Sequence, residues 1–400
     1  MSTTVSGLEL INDSIEQNRG KYIETSQAIH AHPEIGNQEF YASKRHVDTL
    51  TEAGFDVQTA VAGHETSFFA VKDSGTPGPT VAFLAEYDAL PGLGHACGHN
   101  IIGTTSVAAG IALSQVLSET GGRVAVLGTP AEEGGPNGSA KGSFVKHGFL
   151  KDIDVALMIH PSGRTSLTSE TLAVDPLDFH FYGKPAHASG SPEQGINALD
   201  AVILLYNGIN ALRQQLPTDV RIHGIITHGG DAPNIIPEYA SARFYIRAST
   251  WKRTEDVSNK VRAIAEGAGL ATGATVKVER FQNEVQDFVL NSVLDSVLHK
   301  ELEAVGETVY TEKSTGKGST DAGNISYAVP TAHPHIKIGP DTLIAHTDEF
   351  RECAKSELGD EALIKGAKAL ASTGYRLLTD SVLLHEVKKE HERALAEKQE

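Results

Sequence analysis

TVAFLAEYDALPGLGHACGHNIIGTTSVAAGIALSQVLSETGGRVAVLG, residues 80–128, holds two short apolar runs separated by a long stretch rich in Ala and Gly. Thr80–Ala85 and Arg123–Gly128 have the length and composition of buried strands. Ile101–Leu117 between them carries Ile and Leu at helical spacing, which predicts a packed helix. Strand, helix and strand in that order imply a crossover and a parallel pair. A third run, Asp154–Ile159, extends the series. Upstream, Leu8, Ile11, Ile15, Tyr22 and Ile23 mark residues 7–31 as an opening helix. The expected class is α/β with a mostly parallel central sheet.

The middle of the chain changes character. Polar–apolar alternation appears in DFHFYG (178–183) and again in SARFYIRAS (241–249), with helical stretches at Pro192–Leu216 and Lys252–Leu270. Strand–helix–strand–strand–helix–strand is the pattern of a small α+β sandwich of ferredoxin-like kind. It is expected as an insertion, residues 173–287, splitting a discontinuous catalytic domain of residues 1–172 and 288–400. Two domains also suit a chain of 400 residues, more than one core usually organises. After the insertion, α/β character returns with HIKIG (335–339) and a helix at about 361–378. VLLHEVKKEHERALAEKQE (382–400) reads as a charged helical tail.

The formal net charge of −17 argues against nucleic acid, whose phosphates need a basic footprint. No run of about 18 apolar residues occurs, so no membrane partner is expected. The opening residues lack a basic region followed by an apolar stretch, so no signal peptide is expected either. Cys97 and Cys353, the two cysteines, make no disulfide framework. A cytoplasmic location is the resulting expectation.

Polar clusters follow the apolar runs. Glu86, Tyr87 and Asp88 come after the first, and His95, Cys97 and His99 lie just beyond in PGLGHACGHN. TPAEEGG supplies Glu132 and Glu133 after the second, His160 ends the third, and IAHTDEF supplies His346 far downstream. In open α/β sheets ligands gather beyond the carboxyl ends of the strands, so these clusters point at one place. If the segment is extended, Cys97 and His99 leave the same face. A thiolate, several imidazoles and a carboxylate suit zinc and tolerate manganese or cobalt. More than four ligands fit two ions. Of the paired carboxylates, one can bind metal while the other faces a water whose pKa the metal lowers from near 16 to about 7. Singly, each piece has a plainer reading: a buried Cys is usually a small hydrophobe, and adjacent glutamates are usually solvated. His30 and His32 in AIHAHPEIG read as structural. The conjunction of clusters is what indicates a metal site.

At these residues the chain resembles the amidohydrolase branch of the aminoacylase–carboxypeptidase metallopeptidase family. That branch takes in aminoacylases, aminobenzoyl-glutamate hydrolases, auxin-conjugate hydrolases and a subgroup of dipeptidases. AEYDALPGLGHACGHN, TPAEEGG, DVALMIHP, GKPAHAS, APNIIP and HTDEF occur in the family's order between about residues 7 and 380. The resemblance implies that Cys97, His99, Glu133, His160 and His346 are metal ligands and Glu132 the general acid/base. It puts Asp88 behind a metal ligand. It further implies that His187, in GKPAHAS, polarises the scissile carbonyl, in many relatives across a dimer interface. A donor so aimed supplies about 3–4 kcal/mol of transition-state stabilisation. Asn234 and Arg247, thirteen positions apart, match a pair that holds the substrate carboxylate, and the planar fork of Arg suits that task. Asn100 replaces the Asp usual after the second His, as in the aminobenzoyl-glutamate and dipeptidase-like subgroup, which also carries GSTDAGNIS (318–326).

The expected function is hydrolysis of N-acyl amino acids, such as N-acyl-glutamine or N-acyl-glutamate, by a homodimer with two divalent ions, zinc first. Aminobenzoyl-glutamate hydrolysis and dipeptide hydrolysis are the alternatives within the family. A thiol hydrolase using Cys97 with His95 or His99, and a silent binding protein on the same fold, are the rivals from other classes.

Overall fold

The computed structural model describes residues 6–312 and 318–399; the first five residues of the opening stretch and Glu400 at the end of the tail lie outside them. Contacts divide the chain into two units. Thr171–Asp287 with Gly318–Thr320 form the second, and the remaining described residues the first. The short return of 318–320 follows from specific bonds: Leu172 N donates to the Gly318 carbonyl, and Arg247 Nη1 to Ser319 Oγ.

The first unit is built on a six-stranded sheet. Its strands are β1 (Asp56–Thr59), β2 (Phe68–Asp73), β3 (Thr80–Ala85), β4 (Arg123–Gly128) and β5 (Val155–Leu157). A sixth, Thr331–Ala332, comes late in the chain and lies beside β5. The spatial order is β1, β2, β4, β3, β5, then that late strand. β3 pairs in parallel with both β4 and β5, and the late strand is parallel to β5, whereas β1 and β2 add antiparallel pairings at one side. Every residue of β3 is buried, which is why it reads as a continuous apolar run rather than an alternating one. The crossover helix His99–Ser114 is buried along its whole length, its Ala- and Gly-rich sequence letting sheet and neighbouring helix close on it from both sides. Phe83 of β3 is fully buried, and helix Glu357–Thr379 packs beside it at Gly374.

The opening helix is two helices, Gly7–Gln17 and Arg19–Ala31, interrupted at Asn18, whose side chain donates to the Ser14 carbonyl. Ile11 and Ile15 before the break and Tyr22 and Ile29 after it are all buried. The apolar spacing therefore runs straight through the interruption and hides it. HIKIG supplies a strand, as its apolar run suggests. His335–Lys337 is a strand outside the main sheet, paired in parallel with β6 (His160–Ser162).

The second unit is a four-stranded antiparallel sheet of β7 (Ala173–Tyr182), β8 (Arg221–His228), β9 (Tyr239–Ala248) and β10 (Thr275–Arg280), in the order β10, β7, β9, β8. Helices Ala198–Leu212 and Trp251–Thr272 bury one face of it over Leu177, Phe179, Phe181, Phe244 and Ile246. The opposite face carries Arg243, Tyr245 and Arg247, alternating with those core residues along β9. Arg243 grips Asp178 with two bonds of 2.7 Å. The late strands of the first unit are β11 (Thr331–Ala332) and β12 (His335–Lys337). Among the described residues no helix is long and apolar enough to cross a membrane.

Truncating Phe83 to Ala empties a site with no solvent access between sheet and helix. The expected cost is about 3–5 kcal/mol of unfolding free energy, measured by urea denaturation. A loss below about 1 kcal/mol means that the layers close over the gap.

Candidate active site in the first unit

The carboxyl ends of β3, β4 and β5 lie side by side because the three strands are parallel and in register, Ala85 opposite Gly128 and Phe83 opposite Leu157. The polar residues that follow each strand are thus delivered to one edge of the sheet. Glu86 and Asp88 follow β3, Glu132 and Glu133 follow β4, and His160 follows β5.

Cys97 and His99 reach the same place by a different route from the extended segment expected. Gly98 lies between them at φ 75°, and His99 is already the first residue of the crossover helix. This left-handed step turns both side chains inward. No larger residue fits: a Cβ on Gly98 meets Pro161 Cγ at 2.8 Å, in a backbone region that L side chains avoid.

Donor atoms of Cys97, His99 and His160 lie within 4.8 Å of one another, as do those of Cys97, Glu133 and His346, and those of Glu86, His99 and Glu132. Cys97 belongs to the first two groups and His99 to the first and third. All six residues expected to act at the metals therefore converge, and Glu86 joins them. Asp88 holds the arrangement from behind. One oxygen accepts from His99 Nδ1 at 2.9 Å, which leaves Nε2 facing the cluster, and the other accepts from the Glu133 amide at 3.0 Å. His160 is turned in the same sense, its Nδ1 lying 2.7 Å from the Pro161 carbonyl. His346 arrives from the loop before helix Asp348–Cys353, its Nε2 3.2 Å from Cys97 Sγ and 3.4 Å from Glu133.

The turn carrying the two glutamates is itself held open. Ala131 sits at φ 56°, with its amide donating to buried Glu39 and its carbonyl accepting from Ser139. Gly36 lies so close that a Cβ there would meet the Ala131 Cβ at 2.7 Å. Thr66 donates to the other Glu39 oxygen. Burial, then the nearby Asp88 carboxylate, pushes Glu39 up to about 7.

The cluster is rich in negative charge and poor in partners. Burial, then Glu86 and Glu133, pushes the Glu132 carboxyl well above the usual carboxylate range. Burial also works to raise Glu133, but its bond to His346 and the nearby His99 hold it below that range. Burial pushes the Cys97 thiol up. His99 Nε2, Glu133 Oε1 and Glu86 Oε2 are buried with no hydrogen-bond partner. Buried polar atoms are normally satisfied, so three orphans facing one space, in a set of thiol, imidazole and carboxylate, fit divalent cations. Zinc chemistry is consistent with that set, as are manganese and cobalt.

The remaining candidates lie in the second unit. His187 is exposed, with Nδ1 accepting from the Gly190 amide at 3.1 Å, which puts the ring proton on Nε2. Its strand-like bridge to Ile235 sets it beside Asn234, whose carbonyl accepts from Ala188. Arg247 on β9 donates to His223 Nε2 at 3.2 Å and to Ser319 at 3.0 Å. His30 and His32 bond to the Arg351 and Ala28 carbonyls and join none of the donor groups. Asn100 points away from the cluster, its amide nitrogen donating to Ser26 Oγ and the Ala354 carbonyl. A carboxylate could not make those bonds, which accounts for Asn at this position.

Residues 82–375 fit the sequence model of peptidase family M20/M25/M40, a span containing every donor above. The chain belongs to that family. As an M20 protein it is a hydrolase acting on amide or peptide bonds. It is 33% identical to human Xaa-Arg dipeptidase, the match covering 94% of this chain and 89% of the relative. A p-aminobenzoyl-glutamate hydrolase component from Escherichia coli is 30% identical, over 96% of this chain and 94% of the relative. A Bacillus subtilis structure described as a dinuclear metal-binding peptidase of the M20 family shares the fold at a TM-score of 0.61 and 18% identity. That match covers 90% of this chain and 99% of the other.

Sequence reasoning did not assign roles to Glu39, Lys141 or Asp321, and it noted Glu86 without using it. Asp88→Asn leaves one of the two donors, His99 Nδ1 or the Glu133 amide, without an acceptor. It is expected to weaken divalent-metal binding about 10–100-fold, measured by competition with a chromophoric chelator. Unchanged affinity means that Asp88 does not orient the site.

Proposed function

We propose that this M20 protein is a metal-dependent hydrolase cleaving an amide bond next to a free carboxylate, with dipeptides as the leading substrates. The observation that carries this reading is the meeting of Cys97, His99, Glu133, His160 and His346 around three orphaned buried atoms, with Glu132 beside them. Cys97, His99 and His160 would hold one ion, and Cys97, Glu133 and His346 a second, zinc being the first expectation. The Bacillus subtilis relative, described as dinuclear, supports the count of two. Such ions, when bound, supply Lewis acidity toward a carbonyl and make a water easier to deprotonate.

The residues of the chain do the rest. Glu132, with one oxygen 3.7 Å from His99 Nε2, is held where it can take a proton from the attacking water and return it to the leaving nitrogen. His187, with its proton on Nε2, is a donor suited to the developing oxyanion. Arg247 with Asn234 would grip the substrate carboxylate. Residues 173–287, a lid in this reading, bring those three groups, and a homodimer in which His187 of the partner subunit completes the site is part of the proposal. Relatives named as a dipeptidase and an aminobenzoyl-glutamate hydrolase support those substrates ahead of the N-acyl-glutamine or N-acyl-glutamate of an aminoacylase. A thiol hydrolase is less well supported, because Cys97 stands in two donor groups at once. Both cysteines are free, which suits a reducing, cytoplasmic setting.

The test is a panel of dipeptides with basic and acidic C-terminal residues, aminobenzoyl-glutamate and N-acyl amino acids, assayed with zinc or manganese and after chelation. Activity that survives chelation in metal-free protein sinks the metal reading. Glu132→Gln should slow turnover about 10²–10⁴-fold with metal content unchanged; near-normal turnover would falsify its role. Arg247→Ala should chiefly raise KM for carboxylate-bearing substrates, while His187→Ala should lower kcat. Mixing the inactive Glu132→Gln and His187→Ala proteins under subunit exchange should restore part of the activity. No recovery despite demonstrated exchange means that His187 works within its own chain.

A further inference from the structure

Behind the donor cluster lies a buried ion network that the proposed mechanism does not use. Lys141, at the start of helix Ala140–Lys146, is completely buried, and its Nζ donates at 2.6 Å both to Glu86 Oε1 and to Asp321 Oδ1. Asp321 is fixed a second time, its other oxygen accepting from the Lys141 amide at 3.1 Å. This gives work to the GSTDAGNIS segment, whose Asp321 lies 180 positions from Lys141 in the chain. The clamp ties down one oxygen of Glu86. The other, Oε2, is buried, has no hydrogen-bond partner and lies 3.5 Å from His99 Nε2, which has none either.

Two unpaired ligand atoms at this separation have a simple chemical meaning. Donors bonded to one zinc-sized ion at about 2.0–2.1 Å, in near-tetrahedral array, lie about 3.4 Å apart. Two acidic side chains and one lysine also leave the network with an excess negative charge in a site without water access. Such a charge is costly unless a cation meets it. A carboxylate that served only to anchor Lys141 would be expected to have its second buried oxygen met by a protein donor, as buried polar atoms normally are.

We propose that Glu86 is a further donor to the ion held by His99, and that Lys141, anchored by Asp321, is the positioning residue that presents it. The proposal rests on the metal-centre reading above and adds one ligand to it. Lys141 fixes the carboxylate by one oxygen and partly balances its charge, so the second oxygen stays aimed at His99 without needing a protein donor. Glu132 then shares its side of His99 with a carboxylate that is already committed, and remains the group available for proton transfer.

The experiment is zinc titration of metal-free wild-type and variant proteins against a chromophoric chelator, with stoichiometry from elemental analysis and folding checked by thermal unfolding. Wild type is expected to take two equivalents. Glu86→Gln, which keeps the shape, should bind one of them about 10–100-fold more weakly and the other as before. Lys141→Met should weaken the same equivalent, and the double variant should be no weaker than Glu86→Gln alone, because the lysine acts through the glutamate. If Lys141→Met does not fold, Glu86→Gln decides by itself. Wild type binding two ions while Glu86→Gln binds both with unchanged affinity overturns the proposal and leaves the metal centre standing. Wild type binding none removes the metal centre itself, and this ligand with it.

Discussion

The Asp88 carboxylate joins three parts of the chain that would otherwise be placed independently. It follows β3, it orients His99 at the head of the crossover helix, and it accepts from the amide of Glu133 in the turn after β4. Each bond to such a charged group is worth only about 1.5–3 kcal/mol net. Together they convert a parallel pair of strands into a fixed spacing between an imidazole and a carboxylate. The His99 and Glu133 part of the donor cluster takes its spacing from this one side chain. The parallel register of β3, β4 and β5 brings the groups to one edge, and Asp88 sets which nitrogen of His99 faces inward.

Legibility in the sequence followed burial. β3, β4 and β5 read directly because strands covered on both faces are continuous apolar runs, and their polar ends read as a site because several occur in series. β1 and β2 carry no such signal. β1 is largely exposed and short, so it has no apolar run, and FFAVKD in β2 mixes apolar and charged residues at the less covered side of the sheet. HIKIG reads as a strand and is one, but nothing in five residues says which sheet it will join. The break at Asn18 is invisible for the opposite reason, since the apolar spacing continues across it.

The site shows the same division. Glu132, Glu133, Cys97 and His99 stand out because they sit close together in tight, Gly-rich segments. Glu86, Lys141 and Asp321 come together only in three dimensions, 55 and 180 residues apart, and a lone buried lysine has no signature along the chain. Glu39 is hidden likewise. It stabilises the turn before Glu132 through an Ala131 amide that no motif would single out. Asn100 is instructive in a different way. It departs from the usual Asp next to His99, yet its side-chain bonds run to Ser26 and Ala354, so the residue belongs to helix packing and not to the donor cluster.

The contact between Gly36 and Ala131 has a genetic consequence. A Cβ on residue 36 would meet the Ala131 Cβ at 2.7 Å, the Ala131 Cα at 2.9 Å and the Gly134 carbonyl oxygen at 3.3 Å. Position 131 is also in the left-handed region, where glycine sits without strain. Replacing Ala131 by glycine removes only the nearest of these contacts, and the backbone Cα of residue 131 still bars an alanine at 36. Position 36 is thus closed to any side chain whether alanine or glycine stands at 131, and sequence drift at this contact, beside the turn that carries Glu132, is confined to the second position.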